Sequence, residues 1–166
     1  MVNSFKLQHI KNYLPLDEEY DFNDLSILLN RNHFLSRISS NYLNDFIFES
    51  IFQIQNVHLD HHFLNIYNKL QKEFNISNSE SNLCIFSSLV SGIKSPVHWD
   101  VTDVFLLGLH GKVLYKINDI EEYILEPSDL LIIPQGIKHM AIGITPRITL
   151  SYGIFNQLNE STQNMQ

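Results

Sequence analysis

The sequence predicts a mainly β protein: an antiparallel double-stranded β-helix (jelly-roll) barrel with an N-terminal helical jacket. Apolar residues recur at helical spacing before about residue 80 and in short, strand-sized runs after it. Turn residues such as Ser91-Gly92, His110-Gly111 and Gln135-Gly136 separate these runs. The spacing leaves no room for crossover helices, so the strands are expected to be antiparallel.

Eight strands are expected within residues 81–155, the barrel part of a single domain that spans residues 1–155. They are Leu83–Val90, Val97–Asp100, Val104–Leu109, Val113–Ile117, Tyr123–Leu125, Leu130–Pro134, His139–Ile144 and Ile148–Phe155. The polar residues 156–166 are expected to form a flexible tail.

Residues 1–80 are expected to be mostly helical, with two or three amphipathic helices and a short strand around Phe34–Ile38. A cap at Asn23 or Asp24 would begin the first helix. The apolar stripes are Leu25, Leu28 and Leu29; Tyr42, Phe46, Ile47 and Ile51; and Phe63, Ile66, Tyr67, Leu70 and Phe74. These helices would cover one outer face of the barrel.

Composition excludes several classes of protein. The 166 residues carry 11 Lys and Arg against 18 Asp and Glu, a net charge of −7, so binding to nucleic acid has little electrostatic support. Cys84 is the only cysteine, which excludes a disulfide framework and a CxxC site. Neither a leader pattern nor a membrane-spanning apolar run is present, so we expect a cytoplasmic location and no membrane partner.

A short motif, Ser95-Pro96-Val97-His98-Trp99-Asp100, carries two residue types that bind metals. In a strand, residues two apart face the same side, so His98 and Asp100 would converge while Trp99 points outward against the helices. An imidazole and a carboxylate are two of the three ligands in the 2-His-1-carboxylate triad of non-haem Fe(II). His139, which follows a predicted strand and turn, is the candidate third ligand.

Three further motifs follow: Leu125-Glu126-Pro127-Ser128-Asp129, Ile133-Pro134-Gln135-Gly136-Ile137-Lys138-His139, and Ser151-Tyr152-Gly153. Together with His98-Trp99-Asp100 they resemble the JmjC-like cupin oxygenases that depend on Fe(II) and 2-oxoglutarate, nearest to the bacterial ribosomal-oxygenase type. The resemblance covers residues 83–155, with Ser128 in place of a usual glycine. It implies that His98, Asp100 and His139 are the iron ligands and the catalytic centre.

The resemblance also implies a basic residue that holds the distal carboxylate of 2-oxoglutarate, since burying an unpaired carboxylate is costly. Relatives place it two residues beyond the glycine turn, where this chain has Val113. Lys112 is a candidate contact, although alternation puts it, like Lys116, on the face opposite Val113. Arg147, on the face of Thr149, is the alternative, because prolyl-hydroxylase-like relatives use an arginine on this last strand. Its other interpretation is a cap on the preceding surface turn.

Other residues have two interpretations. Ser95 stands where some relatives place a hydroxyl that touches 2-oxoglutarate, but a serine before proline is also ordinary in turns. Tyr115 would either line the pocket as a hydroxyl donor or belong to the core. His58, His61 and His62 suggest a second metal site, but a solvated helix face is the favoured interpretation.

The leading hypothesis is a non-haem Fe(II)- and 2-oxoglutarate-dependent dioxygenase that hydroxylates a C–H bond of a peptide, a protein side chain or a small molecule. The alternative is a small metal-dependent cupin that does not use 2-oxoglutarate, such as another dioxygenase, an isomerase or a metabolite-binding module. Val113 favours that alternative. A homodimer is left open.

Overall fold

The computed structural model describes residues 5–15, 20–30, 50–76 and 81–155. The strand expected at Phe34–Ile38 and the tail of residues 156–166 lie outside the described residues. Of the predicted stripe Tyr42, Phe46, Ile47 and Ile51, the first three residues also lie outside them, and Ile51 is not helical.

Two antiparallel sheets form the framework, and their strands are numbered in chain order. The first sheet has six strands in the order β1 (Gln8–Ile10), β7 (Leu130–Ile133), β4 (Asp103–His110), β9 (Arg147–Ile154), β3 (Ser81–Ser88) and β2 (Phe52–Gln55). The second has three strands in the order β6 (Glu121–Leu125), β5 (Val113–Ile117) and β8 (His139–Gly143). The prediction of a mainly β, antiparallel protein is therefore confirmed.

Two helices, α1 (Phe22–Asn30) and α2 (His61–Glu73), lie against one face of the six-stranded sheet. We call this apolar layer the outer core. Its members from the helices include Leu28, Phe63 and Leu70, and the sheet contributes Phe105 and Tyr152. Neither described helix is long and apolar enough to cross a membrane.

The other face of the six-stranded sheet packs against the three-stranded sheet, and we call the layer between them the inner core. Its buried apolar members from the larger sheet are Val104, Leu106, Leu131 and Ile133, and those from the smaller sheet are Val113, Tyr115, Ile117, Leu125 and Ala141. Alternation along the central strands of the six-stranded sheet thus divides their side chains between the two cores. The two cores differ in how much polar chemistry they enclose.

The predicted stripe on α2 is confirmed, because Phe63, Ile66 and Leu70 are buried and the helix ends at Glu73. Asp60 caps this helix by accepting a hydrogen bond from the His62 backbone N–H (3.0 Å).

The predicted cap of α1 at Asn23 or Asp24 is wrong. Asp21 holds that place, since its Oδ1 accepts hydrogen bonds from the backbone N–H groups of Asn23 (2.7 Å) and Asp24 (3.1 Å). In turn, Asp24 Oδ2 accepts a hydrogen bond from the backbone N–H of Asp21 (2.9 Å), as in a capping box. These backbone hydrogen bonds lower the pKa of Asp21.

The segment Val97–Asp100 is not a strand. It belongs to the connection between β3 and β4, which joins β8 through isolated bridges at Lys94–Ile142 and His98–His139 and through single hydrogen bonds, without forming a continuous ladder. Pro96 lies between the two bridges and has no N–H to donate to a continuous ladder.

The described residues of the N-terminal part contain two of the two or three expected helices, together with strands that were not expected. Besides α1, α2 and a 3₁₀ turn at Val57–Leu59, its described residues contribute the edge strands β1 and β2 to the larger sheet. The expected packing of Trp99 against the helices is also wrong, because 61% of this residue is exposed.

Candidate metal centre

The three predicted ligands come together at one end of the inner core. One ligand atom each from His98, Asp100 and His139 lies within 4.8 Å of the other two. His139 begins β8 and is buried, whereas His98 and Asp100 are half-buried. The backbones of His98 and His139 exchange two hydrogen bonds, N–H of His98 to O of His139 (3.0 Å) and the reverse (2.8 Å). No other group of three such ligands occurs among the residues that the structure describes.

Both imidazoles are held in the same tautomer. Nδ1 of His98 lies 2.9 Å from the carbonyl oxygen of Pro96, and Nδ1 of His139 lies 3.0 Å from that of Ile137. A carbonyl oxygen only accepts, so each Nδ1 carries a proton and Nε2 is the ring atom available to a metal. Hydrogen bonds of this kind orient histidines that bind metals.

The ligand atoms of His139 and Asp100 lie close together. Nε2 of His139 lies 3.4 Å from Oδ2 of Asp100, and burial lowers the pKa of His139, although the Ile137 carbonyl and the Asp100 charge act against that shift. A neutral imidazole nitrogen and a carboxylate oxygen at this distance repel unless a cation lies between them. The donor set therefore fits a divalent cation, and two imidazoles with one carboxylate are the set that Fe(II) takes in oxygenases.

A second polar cluster lies deeper in the inner core, on β9. Arg147 is only 2% exposed, and its Nη1 donates to Oγ1 of Thr149 at 3.1 Å. Its Nε has no hydrogen-bond partner, and no ion pair within the described ranges includes it. Burial lowers the pKa of this guanidinium, and the nearby phenol of Tyr115 acts against the shift. A buried cation without a counter-ion is costly, which indicates a place for an anion.

Ser88 adds a hydroxyl to this cluster. It pairs with Arg147 across β3 and β9, is fully buried, and its Oγ has no hydrogen-bond partner. A Cβ at Gly143 would lie 3.3 Å from that oxygen, so the glycine lets β8 pass close to the Ser88 hydroxyl. Sequence reasoning missed Ser88. The signal was available in the polar pair Ser87-Ser88, which ends an otherwise mostly apolar strand.

Tyr115 and Thr149 complete the cluster. Both are buried, and Thr149 hydrogen-bonds the Tyr115 phenol. Burial raises the pKa of Tyr115, so the phenol stays neutral and can donate a proton to an acceptor. Tyr115 is therefore at once a member of the inner core and a polar lining group.

The lysines lie elsewhere. Val113 is buried in the inner core, whereas Nζ of Lys112 contacts Glu126 at 2.6 Å and Nζ of Lys116 contacts Glu122 at 2.8 Å on the solvent side. The expectation that alternation turns both lysines away from Val113 agrees with these contacts. Lys112, kept as a candidate 2-oxoglutarate contact, is not part of the polar cluster.

Ser95 fastens the ligand-bearing segment to β8. Its Oγ accepts a hydrogen bond from the Ala141 backbone N–H (3.0 Å), and its own N–H donates to the Ala141 carbonyl (2.9 Å). His61 and His62 are exposed on α2, and the ring of His58 stacks on Tyr67. The solvated-face interpretation fits His61 and His62.

Neither a protein-family model nor a curated protein sequence matches the chain. Solved structures do. The crystal structure of the Escherichia coli ribosomal oxygenase YcfD is similar with a TM-score of 0.72 and 18% identity, over 94% of this chain and 50% of that one. YcfD in complex with cobalt and 2-oxoglutarate gives a TM-score of 0.71 and 18% identity over 96% and 50%. The complex of YcfD with cobalt and succinic acid gives 0.70 and 18% over 93% and 49%.

The chain thus shares the fold of YcfD over most of its own length, and it spans about half the length of the YcfD chains that it matches. At this identity the likeness concerns the fold. The chemistry has to be argued from the residues of this chain.

Proposed function

We propose that the protein is a non-haem Fe(II)- and 2-oxoglutarate-dependent oxygenase that hydroxylates a C–H bond. The observation that carries the proposal is the buried guanidinium of Arg147, which has no counter-ion among the described residues and lies in the same inner core as the His98–Asp100–His139 triad. A metal triad alone suits many cupins. A triad together with an internal anion site suits a metal that works with an anionic co-substrate.

The residues fit the metal first. Nε2 of His98, Nε2 of His139 and one Asp100 oxygen would be the three protein ligands of the metal. Bound Fe(II) supplies the oxidation chemistry, in which 2-oxoglutarate and O₂ are converted to succinate and CO₂ while a C–H bond becomes C–OH. The carbonyls of Pro96 and Ile137 keep both imidazoles aimed at the metal by accepting their Nδ1 protons.

The polar cluster would hold the distal carboxylate of 2-oxoglutarate. Arg147 offers Nε, Ser88 its Oγ and Tyr115 its phenol, and a charge-assisted pair with guanidinium suits a carboxylate. The inner-facing residues of β8 run from His139 at the metal end to Gly143 beside Ser88. Four residues of strand correspond to about 13 Å. A five-carbon dicarboxylate would lie along this row.

The apolar inner core would keep water from the reaction. Val113, Leu106 and Ala141 are buried around the polar cluster. A dry surround strengthens the Arg147–carboxylate attraction and limits wasteful side reactions. The entrance would lie at Asp100, whose side chain is 35% exposed.

Several finer features belong to the proposal. The two sheets would close into the double-stranded β-helix barrel, and the protein would act in the cytoplasm. Its substrate would be a peptide, a protein side chain or a small molecule. The single-domain boundary at residue 155 and a homodimer also stay predictions.

One experiment tests the proposal. Metal-free protein is titrated with Fe(II) under argon and then with 2-oxoglutarate, and the visible absorption is followed for a metal-to-ligand charge-transfer band. O₂ is then admitted and succinate is measured. We expect the band and slow succinate formation without added substrate, and neither in a His139→Ala control.

Val113 supports a second candidate, a metal-dependent cupin that does not use 2-oxoglutarate, because the usual basic residue is missing at that position. Fe(II) binding with no band and no succinate would favour this candidate. Failure to bind any divalent metal would contradict both.

A further inference from the structure

The turn that leads into His139 forms hydrogen bonds with two of the metal ligands, Asp100 and His139. Residues Pro134–Ile137 form a type II turn, since Ile137 N donates to Pro134 O (3.2 Å) and Gly136 has φ +78°. Gly136 N donates to the carbonyl oxygen of Asp100 (3.0 Å). The Ile137 carbonyl accepts the Nδ1 proton of His139 (3.0 Å). A shift of this turn would therefore move two ligands together.

A buried carboxylate also forms a hydrogen bond with this turn. Asp103, the first residue of β4, is 2% exposed, and its Oδ1 accepts a hydrogen bond from the backbone N–H of Gln135 at 2.8 Å. This hydrogen bond ties the backbone of the turn to the first residue of β4. Burying a carboxylate is costly, so its place at the start of a mostly apolar strand calls for a specific reason.

We propose that Asp103 is a positioning residue of the metal centre. By anchoring the Pro134–Ile137 turn it fixes the Ile137 carbonyl that orients His139 and the Gly136 N–H that fixes the backbone of Asp100. It touches neither metal nor substrate, and it acts through the turn. The inference rests on the proposed function in that these residues are the metal ligands.

Asp129 provides a matched control on the same sheet. It is also 2% exposed, and it caps a turn by accepting the backbone N–H of Glu126 at 3.1 Å. Its backbone carbonyl accepts from Gly108, near the opposite end of β4 from Asp103. Removing either carboxylate costs folding stability, but only Asp103 is bonded to the turn beside the metal centre.

The test measures Co(II) affinity of the metal-free full chain by calorimetry and by the visible absorption of bound Co(II), with the free energy of unfolding recorded for each variant. Asp103→Ala is expected to raise the Kd for Co(II) by about 10- to 100-fold, the usual effect of losing a group that orients a ligand. Asp103→Asn keeps an acceptor oxygen and should stay within about threefold of the unchanged protein. Asp129→Ala should lower stability and leave the Kd unchanged.

A second variant covers the case in which Asp103→Ala does not fold. Gly136→Ala places a Cβ where nothing lies within 4 Å but forces a side chain onto a φ of +78°, so it disturbs the turn without a clash. It should weaken Co(II) binding. Equal Co(II) affinity in Asp103→Ala, or in Gly136→Ala if the former is unfolded, would overturn the positioning role while the metal centre stands. Absence of Co(II) and Fe(II) binding by the unchanged protein would overturn the proposed function and this inference with it.

Discussion

The outer core and the inner core share the six-stranded sheet but bury different chemistry. Strand β9 shows the contrast within eight residues. Its side chains toward the helices are Ile148, Leu150, Tyr152 and Ile154, and those toward the inner core are Arg147, Thr149 and Ser151. The outward set is what burial alone would select. The inward set carries a cation and two hydroxyls that hydrophobic packing does not require.

The difference indicates a division of labour. Apolar burial in the outer core supplies folding free energy, since each fully buried large side chain contributes about 1.5–3 kcal/mol. The inner core contributes less folding free energy, because Arg147 and Ser88 are buried there with atoms that have no hydrogen-bond partner. Changes in the two cores should therefore separate stability from ligand binding.

The largest effect is expected at the metal ligands. His98→Ala and His139→Ala should each abolish retention of Fe(II), because each removes one of three protein ligands, while circular dichroism stays close to that of the unchanged protein. Calorimetry checks the binding. Asp100→Ala is a softer test, because an anion from solution can fill the carboxylate position. Fe(II) binding at full strength by both histidine variants would contradict the triad.

The outer core should show the opposite behaviour. Leu70→Ala removes a side chain that is 1% exposed and should cost on the order of 2–5 kcal/mol in the free energy of unfolding measured with urea, with metal affinity unchanged. Leu64 on the same helix is 38% exposed, so Leu64→Ala is the matched control and should cost far less. Similar losses from both variants would contradict the outer core as the main source of stability.

Arg147→Leu sharpens the contrast within the inner core. It should raise the Kd for 2-oxoglutarate more than tenfold, since a charge-assisted hydrogen bond contributes roughly 1.5–3 kcal/mol. Stability should hold or rise, because a buried unpaired cation is replaced by an apolar group. Lys112→Ala and Lys116→Ala, whose ammonium groups pair with glutamates at the surface, are the controls. A larger effect from either lysine would refute the Arg147 anchor.

The smallest effect is expected in the turn between β6 and β7. Ser128 has φ +73°, a conformation that suits glycine, and its N–H donates to the Gly108 carbonyl (2.9 Å). Ser128→Gly should relieve strain and stabilise the protein by up to about 1 kcal/mol, read as a higher Tm. Metal affinity should not change. A lower Tm would show that the Ser128 side chain stabilises the protein by more than the strain of its positive φ destabilises it.

Periodicity alone predicted much of the sheet framework. Strands β4 and β5 lie within a residue of the predicted bounds, because alternation and turn residues are local signals. Strands β1 and β2 were missed. They are three and four residues long, and their place at the sheet edges depends on partners far away in the chain.

The site was predictable only where a motif carries it. The spacing of His98, Asp100 and His139 pointed to one centre, and the structure brings them together. Ser88 was not predictable, since it joins Arg147 through a pairing of strands 59 residues apart. Asp103 was missed because its partner is a backbone N–H, which leaves no trace in residue types. Long-range register and backbone hydrogen bonds are the parts that one sequence does not display.

The connection between β3 and β4 has a kinetic consequence. It carries two of the three ligands, and isolated bridges with a few hydrogen bonds at Gly92, Ile93 and Ser95 join it to β8 in place of a continuous ladder. Such a segment is expected to open at a lower free energy than the six-stranded sheet, and native-state hydrogen exchange measures both opening free energies. Metal release would then follow this local opening and would not wait for global unfolding. A bound metal would in turn slow amide exchange in this segment, because a ligand stabilises the closed form by mass action.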